Sequence, residues 1–80
     1  MTLPGAGLSQ HLDLRGVPCP INYVRCCLAL ESVGSGAVLE VDLDRGEPEE
    51  MVIPSLKAAG HNVEILLEES DWLSILVTSV

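Results

Sequence analysis

Apolar and polar positions alternate from His11 to Arg15, with Leu12 and Leu14 on one face and Asp13 and Arg15 on the other. That period of two predicts a short half-buried strand, which Gly16 and Pro18 then stop. The period changes after Pro20. Tyr23, Cys26, Cys27, Leu30 and Val33 recur at helical spacing as one apolar stripe, and Gly34-Ser35-Gly36 ends the helix. A second apolar line on that helix, Ile21, Val24 and Leu28, is read as the edge of the core, with a docking patch as the alternative.

Ala37 to Leu43 predicts the second strand, with Val38, Leu39, Val41 and Leu43 apolar and Glu40 and Asp42 facing outward. After the acidic turn Asp44-Arg45-Gly46-Glu47, Pro48 opens a second helix with Glu49 and Glu50 in its first turn, where the helix dipole favours negative charge. Pro54 is expected to kink or restart that helix, and Gly60 to close it. His61 to Leu67 and Trp72 to Thr78 predict two further strands, joined as a hairpin by Glu68-Glu69-Ser70-Asp71.

The resulting order is βαβαββ. An α+β two-layer sandwich, a four-stranded mixed sheet with both helices on one face, hides both helix stripes most simply. The other sheet face is left partly open to solvent or to a partner. Residues 1–10, with Pro4, Gly5 and Gly7 and little periodicity, read as a loose tail before a domain over residues 11–80.

Composition narrows the function classes. The 80 residues suffice for one small core, and with phenylalanine absent that core must be built from Leu, Val, Ile and Ala. A formal net charge of −8 has the wrong sign for a phosphate-binding surface, and two large rings, Tyr23 and Trp72, make no stacking platform, so direct nucleic-acid binding is excluded. The same charge favours solubility and a partner with a basic docking face. No apolar run is long enough for a bilayer span, so the expectation is a monomer in the cytoplasm, where the three cysteines stay reduced.

Cys19 is the cysteine placed for chemistry. Pro20 suits the first helical position, which makes Cys19 the expected N-cap. A helix start presents unpaired N–H groups and partial positive charge, and both favour an anionic sulfur. Pro20 has no N–H, so the donors are expected from Ile21 and Asn22. Gly16 lets the backbone turn while Pro18 and Pro20 stiffen the loop.

The run Leu14-Arg15-Gly16 before Cys19-Pro20, with Gly36, Asp42-Leu43-Asp44, Ile53-Pro54 and Gly60-His61 at matching spacing, resembles the TusA-like (SirA-like) sulfur carriers. The resemblance covers the chain from Leu12 to about Val80. It implies that Cys19 receives sulfane sulfur as a persulfide from a donor protein and passes it to an acceptor protein, in tRNA thiolation, cofactor biosynthesis or sulfur oxidation. One feature departs from the best-known form, Cys-Pro-x-Pro: this chain reads Cys19-Pro20-Ile21-Asn22. It is closer to a subgroup with Cys-Pro-x-Asn and a Gly-Glu-Pro turn, here Gly46-Glu47-Pro48. Asn22 restores an N–H and adds a side-chain amide near the sulfur.

Cys26 and Cys27 lie about 10 Å or more from Cys19 along a helix, too far for a disulfide with it, and are assigned to core filling. No cofactor and no metal site are expected, because the cysteines and His61 lack ligand spacing and the acidic set Asp42, Asp44, Glu47, Glu49 and Glu50 reads as a solvated turn. His61 is assigned to the turn after the second helix. Arg25, with Ile21 and Val24, is the candidate for partner docking or for steadying a persulfide. Two rival functions stand beside sulfur relay: a non-catalytic regulatory or interaction module, and a redox sensor using a sulfenic acid at Cys19.

Overall fold

The computed structural model describes residues 9–34 and 36–79. Among them the elements follow as β1 (Ser9–Asp13), α1 (Ile21–Val33), β2 (Val38–Asp44), α2 (Glu47–Ala58), β3 (Asn62–Glu68) and β4 (Trp72–Thr78). The sheet order is β1-β2-β4-β3, with β1 parallel to β2 and the other two pairings antiparallel. This is the predicted mixed sheet, and β3 and β4 form the predicted hairpin. The strand β1 begins at Ser9, inside the span expected to be tail; the rest of that tail lies outside the described residues, as does Ser35.

Alternation decides what the sheet buries. Leu39, Val41 and Leu43 of β2 pair with Val77, Ile75 and Leu73 of β4, and all six are fully buried. Leu14, Cys26, Leu30, Val52 and Leu56 complete the core from the β1–α1 loop and the two helices. Each such aliphatic side chain contributes roughly 1.5–3 kcal/mol by leaving water.

Two expectations from the sequence pattern change. Asp42 was expected to face outward but is only 5% exposed, because Ser74 of β4 donates to its Oδ1 at 2.8 Å and His11 lies 2.8 Å from its Oδ2. Those partners make the burial of a carboxylate tolerable. The helix α2 runs unbroken through Pro54, whose lost N–H is outweighed by packing of Val52 and Leu56 into the core. The strand β3 is an edge strand with an irregularity between Ile65 and Leu67, and Ile65, Leu66 and Leu67 are exposed.

The helix ends follow from local chemistry. Gly34 has φ 86° and its N–H bonds to Leu30 at 3.1 Å, closing α1. At the start of α2, Glu49 accepts from the Gly46 N–H at 3.4 Å and from Arg45 Nε at 3.3 Å. Its end is closed by the backbone N–H of His61, which bonds to the Leu56 carbonyl at 3.1 Å while Gly60 takes φ 98°.

Candidate functional site

The β1–α1 loop is fastened at both ends before it reaches Cys19. Leu14 is buried and its N–H bonds to the Asp42 carbonyl at 2.9 Å, which extends the β1–β2 ladder by one rung. Arg15 grips Asp13 through two side-chain bonds of 3.0 Å, and its guanidinium lies 4.6 Å from the Trp72 ring centroid. The Arg15 guanidinium and backbone N–H hold the Asp13 carboxyl down at about 2. Gly16 then takes φ 82° and donates its N–H to Asp44 Oδ2 at 2.7 Å. That turn needs a residue tolerating positive φ, which is the physical reason for glycine there.

Cys19 sits one residue before the position expected. The helix begins at Ile21 with Pro20 at its N-cap, where φ is −93° and ψ 10°, so Pro20 is not the first helical residue and Cys19 is not the cap. The first turn is fixed by the Asn22 N–H to the Pro18 carbonyl at 3.1 Å and the Val24 N–H to Pro20 at 3.0 Å. The Asn22 backbone N–H is therefore spent on Pro18 and does not hold the sulfur.

The Asn22 side chain holds it instead. Its Nδ2 donates to Cys19 Sγ at 3.3 Å, while its Oδ1 accepts the Tyr23 N–H at 2.7 Å. Asn22 is fully buried and Cys19 half-exposed. Thus one amide caps an otherwise orphaned helix N–H with its oxygen and aims its donor at a thiol open to solvent. An N–H donor stabilises sulfur in proportion to the negative charge on it, so the arrangement suits a thiolate or a departing sulfur.

The three cysteines are free thiols and separate by environment. Cys26 is fully buried, and burial pushes its thiol up to about 12, so it stays protonated and packs. Cys27 is half-buried. The Tyr23 hydroxyl is pushed up mainly by its hydrogen bond with Cys27, with burial adding to it.

The apolar line beside the thiol also differs from its expected role. Ile21, Val24 and Leu28 are 52%, 50% and 59% exposed, so they are not the edge of the core. Asn22 takes the buried helical positions with Cys26 and Leu30, which turns this line outward. Arg25 is exposed next to it. Of the acidic set, Asp44 holds Gly16 and Glu49 caps α2, roles that sequence spacing did not single out. The pattern Asp42-Leu43-Asp44 was the available signal.

Together the fold and the loop define a class: a two-layer βαβαββ domain that presents a hydrogen-bonded, solvent-open cysteine at the head of its first helix. Residues 10–79 match the family of the sulfurtransferase TusA, and the chain belongs to that family. It is 38% identical over 72 residues to a candidate sulfur carrier protein of Archaeoglobus fulgidus, covering 86% of this chain and 80% of the relative. A candidate sulfur carrier protein of Thermotoga maritima is 34% identical over 68 residues, covering 81% and 85%. A crystal structure of a SirA-like protein from Desulfitobacterium hafniense shares the fold with a TM-score of 0.74 at 21% identity, covering 86% of this chain and 95% of that one.

Proposed function

We propose that this protein carries sulfane sulfur as a persulfide on Cys19 and relays it between a donor and an acceptor protein. The observation that carries the reading is the Asn22 amide bonded to Sγ at 3.3 Å within a loop held by Arg15, Gly16 and Pro18. Membership of the sulfurtransferase family and the description of two relatives as candidate carriers support it.

In the loading step the Cys19 thiolate attacks the terminal sulfur of a donor persulfide. The donor's S–S bond breaks, its thiolate leaves, and a Cys19 persulfide forms with no net oxidation. In the discharge step an acceptor thiolate attacks the terminal sulfur and Cys19 Sγ departs as thiolate. Asn22 Nδ2 serves both steps, since Sγ carries charge at the start of the first and the end of the second. Cys26, buried and held protonated, takes no part.

Ile21, Val24 and Arg25 form the docking surface, placing an apolar contact and one cation beside the thiol. The protein works as a cytoplasmic monomer in this account. No helix among the described residues is long and apolar enough to cross a membrane.

The test is intact mass after incubation with a persulfide donor. The expected result is a gain of one sulfur atom that reductant removes and that Cys19→Ala lacks. An unchanged wild-type mass with several donors overturns the proposal.

A further inference from the structure

The sheet face away from the helices carries a second group of chemically active side chains. Glu40 lies opposite His11 on β1, and Asp42 lies opposite Ser74 on β4, so three adjacent strands bring the group together. His11 Nε2 is 2.8 Å from Asp42 Oδ2 and 4.0 Å from Glu40 Oε2, and the three donor atoms all lie within 4.8 Å of one another. We propose that His11, Glu40 and Asp42 form a binding site for a divalent cation of the Zn²⁺ class, separate from the Cys19 thiol.

Hydrogen bonding supports the assignment. Ser74 Oγ lies 2.8 Å from Asp42 Oδ1 and 3.3 Å from Glu40 Oε2, but a hydroxyl has one proton and serves one carboxylate at a time. Two carboxylates therefore converge on a single hydroxyl proton and a single imidazole, which leaves them short of positive charge. Asp42 is also held as a ligand needs to be: Ser74 fixes one oxygen while the other faces the imidazole.

The donor set selects the metal. One imidazole nitrogen with two carboxylate oxygens suits Zn²⁺ and its first-row neighbours, whereas Ca²⁺ and Mg²⁺ prefer oxygen alone. With bonds of about 2.0–2.2 Å in a tetrahedron, ligand atoms stand about 3.4 Å apart. The observed 2.8 Å and 4.0 Å bracket that spacing and the two carboxylates lie within 4.8 Å of each other, so rotamer adjustments of about 1–1.5 Å close the site. Asp42 is buried while His11 is exposed and Glu40 half-exposed, which leaves an entry path and a fourth position for water. The net charge of −8 draws cations to the whole surface.

Because His11 belongs to β1 and the carboxylates to β2, bound metal would clamp the edge strand that leads into the Cys19 loop. The test titrates the full chain with Co²⁺, read by visible absorption, and then displaces it with Zn²⁺. The expected result is one equivalent with the weak bands of nitrogen and oxygen ligands, no intense thiolate charge-transfer band, and a higher melting temperature. Both His11→Ala and Glu40→Gln should weaken binding by more than about tenfold, the loss usual even for outer partners of a metal, while Cys19→Ser leaves it unchanged. Absence of binding in a large metal excess, a thiolate band, or an affinity that His11→Ala leaves untouched would each overturn the proposal and show His11 and Asp42 to be an ion pair only. Sulfur loading of Cys19 is read separately by mass and does not depend on the outcome.

Discussion

Replacing Asn22 by leucine tests the sulfur's hydrogen bond and the helix cap at once, because one amide makes both. The side chain is fully buried, and Leu keeps its γ-branched arrangement of four heavy atoms with a bulkier tip, so the change removes polar function and adds some overpacking. Its oxygen accepts the Tyr23 N–H at 2.7 Å, and without it that N–H is left without this acceptor, at about 1–3 kcal/mol. A domain of this size loses roughly 4–8 °C of melting temperature per kcal/mol, so a fall of about 12 °C is expected at the middle of both ranges. The lost Nδ2–H···Sγ bond acts on reactivity instead. Hydrogen bonds to charged groups contribute about 1.5–3 kcal/mol, and the half-exposed sulfur regains part of that from water. A loss of about 1.4 kcal/mol corresponds to a tenfold slower reaction. The assay is the pseudo-first-order alkylation of Cys19 by iodoacetamide at neutral pH and 25 °C, with circular dichroism confirming the folded state. A rate within about twofold of wild type, with the melting temperature lowered as expected, would refute the sulfur-holding role of Asn22 while leaving its capping role standing; twofold is only about 0.4 kcal/mol.

Other outcomes follow from the same geometry. Cys26 has its thiol raised from 9.0 to about 12 by burial, so its contribution to stability is complete below pH 9 and is lost as pH rises towards 12. Thermal melts of wild type should fall over that window, and Cys26→Ala should flatten the fall; equal slopes would count against burial as the cause. Asp13 is held at about 2 by Arg15, so its contribution is present above pH 3.8 and disappears as pH drops towards 2. Asp13→Asn should lie below wild type at neutral pH and converge with it at pH about 2 in melts, and parallel curves would contradict the Arg15 pairing. Gly16→Ala meets no atom within 4 Å but must adopt φ 82°, so it should cost about 1 kcal/mol from backbone strain, and chemical denaturation showing no loss would contradict that assignment.

Strand and helix order was legible because the period of apolar residues switches cleanly between two and 3.6, and because Gly and Pro punctuate it. What the pattern could not show was which polar residues find partners. Asn22 lies within a helical stretch whose stripe seemed to run through Tyr23, yet it is the amide that is buried, because a helix N–H and a thiol both need it. Asp42 alternates as an outward residue should, and only its strand neighbours His11 and Ser74 explain its burial. Those neighbours come from strands 31 and 32 residues away in sequence. The same blindness hid the edge position of β3, since Ile65, Leu66 and Leu67 spell a buried strand as well as an exposed one. Cys19 was singled out as the candidate thiol by the flanking glycine and prolines, and the Asn22 amide was placed near it, but not as the group that bonds the sulfur. Of the backbone N–H groups first expected to hold it, that of Asn22 is engaged by the Pro18 carbonyl, and the Asn22 side chain takes its place.

The central claim is that Cys19 is a reversible carrier of one sulfur atom, and mapping the adduct by top-down mass spectrometry before and after adding an acceptor thiol tests it most directly. The account predicts one added sulfur localised to Cys19, none on Cys26, and its disappearance as the acceptor gains the same atom. An adduct on another cysteine, or one on Cys19 that the acceptor never removes, would contradict it.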